Sequence, residues 1–486
     1  MDPLVIAAVA LLGVFLFVQV NTNWRLGVFF IIATGFLQDP FRKLVPGEPV
    51  ALSAVVGLVM LFVWIIGLGQ FRGQEKVMSI ARHYPSLIRA FVLYGALVSF
   101  QALITLVNYG SLPFAGLGMI AYLGPLPAVW VGWWFCRTER DFRQLALICA
   151  LCGLMVAGSV ALSWLGAEWS VLKQIGPVED ILVFYGADGV ITMHTGFLRA
   201  PEITAWHLGA ATCAVIVLAS VRPSGLLWLV GLLLLAALVA AIFLTGRRKA
   251  LGLIVLFVSF FFVLLQFSRN RELGKIKRAL LAAAVGAAGG FFFLPEIVGD
   301  GSTFGVYSER GASLVGDSWE RFYDFGIGSA FWAWDAVGFL GQGAGVVSQG
   351  AQYFGVDFQL GGAAEGGLGK IIVELGIPGL MVIAWMLWVV GGNIRAMLVK
   401  LERVSSKAFT VAAALSAFLL ANSVVFVTAA QVFGDPFVLI FLGMAFGALL
   451  AVPRLVNRQP IGDVLEKLPR GSADRLAIRP LGEFGR

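Results

Sequence analysis

The sequence predicts an all-α, polytopic transmembrane helical bundle, and three observations carry that prediction. Of 486 residues, 59% are hydrophobic and 13% charged, about half the charged share of a soluble domain. The apolar residues come in blocks of about 20, the length that carries a helix across a bilayer. Those blocks are continuously apolar, unlike the alternating segments of about 10 residues that mark a membrane barrel. An open sheet is excluded because lipid offers its edges no hydrogen-bond partner.

Hydropathy marks about 12–14 spans. Our reading places them near 3–20, 25–38, 49–70, 87–108, 113–135, 143–164, 203–221, 224–245, 249–267, 279–297, 370–392, 408–428 and 435–453. The first lacks a basic leader and a small-residue cleavage site, so it is expected to be a retained span. The second is short, in keeping with a tilted or hairpin segment. The fifth holds Pro125 and Pro127, where a kink is expected. The bundle would occupy 1–453, with a basic cytoplasmic tail over 454–486.

Lysine and arginine set the orientation. Arg72, Lys76, Arg82 and Arg89 share one short loop, and Arg137, Arg140 and Arg143 the next alternate one. Arg222, Arg269 to Arg278, Arg395 to Lys407 and the tail fall on the same side, which is expected to be cytoplasmic. The net charge of +7 thus reads as basic loops beside anionic headgroups, not as a nucleic-acid surface. Cys136, Cys149, Cys152 and Cys213 lie in or beside apolar spans and read as small core residues.

Two long loops, 165–202 and 299–369, fall on the opposite side. The second is acidic and aromatic; such a length indicates function or structure of its own. Trp319 to Phe339 has the makings of an amphipathic helix at the membrane surface. The glycines from Gly338 to Gly345 lack the strand and the Lys-Ser/Thr of a phosphate loop, so they are expected to form a tight turn that packs on the bundle.

One feature breaks the charge rule. Arg247, Arg248 and Lys249 join two spans on the side that should be poor in cations. Either the charges snorkel to headgroups or the span count is off, or they form an anion site. A diphosphate suits the last, since arginine matches phosphate oxygens bidentately. Arg199 sits before a span on the same face, between His194 and His207; it reads either as an interfacial arginine or as a partner of Arg247 and Arg248 in binding the diphosphate, with His194 as a possible support. Glu365 and Glu374 lie where the acidic loop enters its span, where a carboxylate is a functional candidate by default. Glu365 is read as a general base. Glu374 has Lys370 one helical turn away as a bracing partner. Arg321 is a possible support in the loop. No His, Cys and carboxylate cluster points to a metal, and no cofactor is implied.

The motifs Leu198-Arg199-Ala200-Pro201-Glu202, Thr245-Gly246-Arg247-Arg248-Lys249 and Gly341 to Gly345, followed by Glu365 and Glu374-Leu375-Gly376-Ile377-Pro378-Gly379, give the chain its likeness. It resembles the O-antigen polymerase and O-antigen ligase superfamily of bacterial membrane glycosyltransferases over about its C-terminal two thirds. That resemblance implies a glycan donor on undecaprenyl diphosphate at the outer face of the inner membrane. It also implies attack by an acceptor hydroxyl without a metal, and a chain-length regulator as a possible partner. Ligases of the superfamily carry a histidine where this chain has Glu365, and its long loop has none. The expectation is therefore a polymerase, with a ligase as the alternative. A flippase or transporter is the reading from another class; the spans show no visible duplication of the kind common there.

Overall fold

The computed structural model describes residues 17–70, 78–175, 182–185, 189–221, 225–268, 273, 274, 276–278, 280, 307, 314–348 and 366–457. Glu365, nearly all of the expected spans 3–20 and 279–297, the loop parts 299–306, 308–313 and 349–365, and the tail from 458 lie outside them.

The described chain is helical throughout, apart from one short hairpin. In order come α1 (Trp24–Leu44), α2 (Val55–Gln70), α3 (Pro85–Tyr109), α4 (Leu112–Leu123), α5 (Pro125–Phe135) and α6 (Glu139–Trp164). The hairpin β1 (Leu182–Tyr185) and β2 (Gly189–Thr192) precedes α7 (Pro201–Val221), α8 (Gly225–Leu244) and α9 (Lys249–Gln266). Then follow α10 (Leu314–Arg321), a π-helical stretch over Phe322–Gly328, α11 (Ser329–Val337), α12 (Gly367–Val404), α13 (Ser406–Thr428) and α14 (Pro436–Ala451). Among the described residues, eight helical segments are long and apolar enough to cross a membrane, and Leu229–Leu244 and Pro436–Ala451 are shorter apolar helices. The protein is a multi-pass membrane protein.

Local chemistry sets the element boundaries. Thr138 and Asp141 form a reciprocal capping box at the start of α6, satisfying N–H groups that have no partner within the helix. Where a kink was expected near Pro125, the helix is interrupted at Gly124, which keeps helical φ and ψ of −54° and −35°, and α4 and α5 together form one span. The second expected span is one helix of 21 residues, α1, whose last turns carry buried Gln38, Asp39, Arg42 and Lys43. Its polar end is therefore turned into protein. The hairpin was not anticipated; its strands pair antiparallel, Leu182 opposite Thr192. The expected helix over Trp319 to Phe339 is an α-helical, π-helical and α-helical run that ends at Val337, with Trp319, Phe331 and Trp334 exposed and Ala333 buried; Gly338, at φ 70°, ends it before Phe339.

Helices meet where side chains are small, the usual solution where lipid removes any hydrophobic drive between spans. In α14, Gly443 and Gly447 lie against the α5 backbone at Pro125, Val129 and Trp133, and Gly132 of α5 lies against Met444. Gly153 of α6 abuts Ala211 of α7. One buried polar tie crosses the core: Trp206 Nε1 donates to Asn422 Oδ1 at 2.8 Å. Large apolar residues such as Leu58, Val107 and Trp388 point outward, as lipid permits.

Contacts between helix ends sort into two sets. Arg25 pairs with Asp141, Tyr84 Oη donates to Leu450 O, and Arg454 donates to Trp133 O. Lys43 reaches Gly196 O, Arg199 reaches Asp435, and Arg247 reaches Glu202. These are the two ends of the bundle that alternating spans require. Arg137, Arg140 and Arg143 share the first end; the run Arg247 to Lys249 shares the second with the segments that follow α6 and precede α12.

The α5–α14 contact gives a direct test. A side chain at Gly447 would overlap the Val129 carbonyl and the Trp133 backbone nitrogen, which cannot move aside as a side chain can. Gly447→Leu is expected to cost about 1–3 kcal/mol or more and to lower the thermal midpoint in detergent. Gly391→Leu, where nothing lies within 4 Å, is expected to leave it unchanged. Equal midpoints for both would refute this packing.

Candidate functional site

The turn between β2 and α7 is built by its own backbone demands. Gly196 has φ 57°, a left-handed conformation that favours glycine, and any Cβ there would overlap Ser159 Oγ. That hydroxyl accepts from Phe197 N at 3.0 Å. Lys43 Nζ donates to Gly196 O at 2.7 Å, and Thr204 Oγ1 donates to Thr195 O at 2.7 Å. Pro201 opens α7 where a missing N–H costs nothing, and Glu202 in the first turn suits the positive end of the helix dipole.

The turn delivers Arg199 into a frame of two carboxylates. Arg199 Nη2 lies 2.6 Å from Asp435 Oδ2, and Nη1 lies 3.5 Å from Asp39 Oδ1. The Arg199 backbone N–H also donates to Asp39 Oδ2 at 3.0 Å. Asp435 meanwhile caps α14 by accepting from Val438 N at 2.9 Å. Both aspartates are buried. With Lys43 one turn from Asp39, two cations face two carboxylates, and the frame is formally neutral. His207 is buried beside it and stacks on Phe437 at 4.8 Å between ring centres. It is a histidine packed among aromatic rings of the core.

The second motif is charged differently. Thr245 Oγ1 donates to Ile242 O at 2.6 Å and accepts from Arg247 N at 3.3 Å. Gly246, at φ 64°, turns the chain tightly against Met193. Arg248 then stands at the N-cap of α9, and Lys249 is its first residue. His194 N donates to Leu244 O at 3.2 Å, and Arg247 Nη2 lies 2.5 Å from Glu202 Oε1. Two segments about 50 residues apart in sequence are thereby joined, and Arg247, Arg248 and Lys249 stand at the positive end of the α9 dipole. Such a terminus suits an anion.

An apolar cleft adjoins these cations. Ala205 and Trp206 of α7, Ala250 and Leu253 of α9, and Val425, Ala429 and Val432 at the end of α13 and just beyond form its walls. Glu202, Arg247, Lys249 and Gln431 supply its polar rim.

The remaining candidates are placed as follows. His194 is half-buried, its Nδ1 3.1 Å from Ser163 Oγ, and burial lowers its pKa. It belongs to the same end of the bundle as Arg199, Arg247 and Arg248. Glu374 belongs to a different cluster. It is fully buried, 3.3 Å from Lys370 Nζ, and accepts from Tyr122 Oη (2.5 Å), Val347 N (3.0 Å) and Ser348 Oγ (3.2 Å). That is the bracing role anticipated for it. Arg321 is exposed at the end of α10, its guanidinium 5.8 Å from the centre of the Phe325 ring. Among the described residues no three His, Cys, Asp or Glu side chains converge as metal ligands would. Sequence reasoning missed Asp39, Lys43 and Asp435; the available signal was charge at the very ends of apolar spans. The sequence matches no protein-family model and no curated protein.

If the frame holds Arg199 as described, Arg199→Ala strands two buried carboxylates. Such a loss costs about 3–5 kcal/mol and lowers the thermal midpoint. In a background carrying Asp39→Asn and Asp435→Asn, the same substitution is expected to cost much less. Additive losses would show that these carboxylates do not hold the arginine.

Proposed function

We propose that the protein is a glycosyltransferase that polymerises a surface or exopolysaccharide from repeat units carried on undecaprenyl diphosphate. The observation that carries this is an apolar cleft with Arg247 and Lys249 on its rim, beside the N-terminus of α9. A polyprenyl diphosphate has the two matching parts, an apolar chain for the walls and a doubly charged head for Arg247, Arg248 and Lys249. Arg199 is committed to two carboxylates, so we give it the role of holding the turn that carries Glu202. The membrane would be the bacterial inner membrane, with this end of the bundle facing away from the cytoplasm. A chain-length regulator would be a natural partner.

The reaction needs little beyond these groups. An acceptor sugar hydroxyl attacks the anomeric carbon. The bond from that carbon to the diphosphate oxygen breaks, the configuration inverts, and the lipid diphosphate departs with the electron pair. Fixed cations stabilise the charge that develops on it. The hydroxyl proton passes to a base, for which Glu365 is our candidate. Glu374 is not available for this role, because its oxygens are already held by four groups. One observation favours a second reading: an imidazole, His194, stands at the same end. A histidine base would favour transfer of finished glycan to a lipid or protein acceptor, as a ligase performs.

Purified protein supplied with the host's own lipid-diphosphate-linked repeat unit is expected to give a ladder with repeat-unit spacing. Arg247→Ala and Arg248→Ala are each expected to slow it about 100-fold, and Glu365→Gln to abolish it. Single transfer to an added acceptor would move the assignment to a ligase. Substrate movement across vesicles without chemistry would overturn both.

A further inference from the structure

The segment from Phe325 to Ser348 is the part of the molecule that the functional reading leaves unused, and its path is unusual. Gly366, at the start of α12, packs against Phe325 O and Ser329 Oγ. Ala333 clusters with Ile372 and Val373, and Phe339 O accepts from Ile377 N at 3.0 Å. Thus α11 runs alongside α12 in the same direction, from its tip to its break at Gly376, where φ is 69°. The chain then turns back. Gln342 N donates to Val373 O at 2.7 Å, Val347 N to Glu374 Oε1, and Lys370 Nζ to Val347 O at 3.4 Å.

The depth of that turn follows from helix geometry. Ala344 N donates to Gln101 O at 3.2 Å, and Gln101 lies eight residues before the end of α3 at Tyr109. At about 1.5 Å per residue the turn sits about 12 Å below that tip. The 25 residues of α3 span about 37 Å, some 7 Å more than a hydrocarbon layer of about 30 Å. Even if all that excess protruded at this end, the turn would still lie inside the layer.

The polar bonding matches such a depth. Irregular backbone is tolerated there only where protein satisfies it. Gln101 Nε2 donates to both Leu340 O and Leu375 O at 3.0 Å. Thr105 Oγ1 donates to Ala344 O at 2.8 Å. Gly341, Gly343 and Gly345 all have positive φ and press on α12, α3 and α4 backbone or hydroxyl groups that leave no room for a Cβ. The side turned away from the bundle carries Phe331, Trp334, Phe339 and Leu340, all largely exposed.

We infer that residues 325–348 form a re-entrant hairpin that dips into the bilayer, and that its aromatic face is covered by lipid. The occupant of that face is the acyl and headgroup boundary itself, continuous with the lipid around α3 and α12. The inference does not depend on the proposed chemistry.

Spin labels test it on the full chain in lipid nanodiscs, with Cys152→Ser removing the least buried native thiol. A label at Phe339→Cys is expected to collide severalfold more with oxygen than with a water-soluble nickel chelate. A label at Glu320→Cys is expected to show the reverse. Nickel access at Phe339→Cys equal to that at Glu320→Cys would overturn the inference and leave the aromatic face to a water-borne partner. Should labelling disturb folding, the unmodified protein can be photolabelled with a lipid carrying an acyl-chain diazirine. Adducts within 329–340 support the hairpin; adducts confined to the spanning helices refute it.

Discussion

Every backbone polar group within a bilayer must find its partner inside the protein, and most of what is unusual in this molecule follows from that constraint. Where helices are continuous the requirement is met without help. Where α12 breaks at Gly376, the freed groups are met from elsewhere in the chain. Val373 O accepts from Gln342 N, Leu375 O from Gln101, and Ile377 N donates to Phe339 O. Break and turn are therefore one structure, each supplying the other's hydrogen bonds, with Gln101 of α3 bridging the two. Glu374 and Lys370 close the same assembly from above.

A second constraint is the cost of charge at the membrane boundary. The two basic motifs meet it with different partners. Arg199 pairs with Asp39 and Asp435 on two other helices, so it ties three elements together. Arg247 pairs with Glu202 in the first turn of α7, which ties the start of α9 to α7. The distinction between the two arginine sites lies entirely in their partners.

The end of α13 connects the parts. Val425 and Ala429 wall the apolar cleft on one side. On the other side, Phe426 packs on Gly367 at the start of α12, and Val427 packs on Gly326 of the π-helical stretch. A change in the cleft is thus one helix width from the hairpin and from the start of the span that Glu365 precedes.

The sequence alone determined the membrane class, the apolar spans that the described helices occupy, the helix interruption beside Pro125, the helical run from Trp319 to Val337, and the Lys370–Glu374 pair. Each of these depends on neighbours along the chain: runs of apolar residues, a proline pair, or a spacing of four. It also marked Arg199 and the run from Arg247 as exceptions to charge sidedness. Only the tertiary structure decided what Arg199 pairs with, because Asp39 and Asp435 lie 160 and 236 residues from it in sequence and meet it through the packing of α1 and α14. The same holds for the hairpin's depth. Composition shows that 299–369 follows a span, but whether it stands in water or returns to the bilayer depends on which helix offers its glycines a hydrogen-bond partner, and that helix, α3, lies more than 200 residues away.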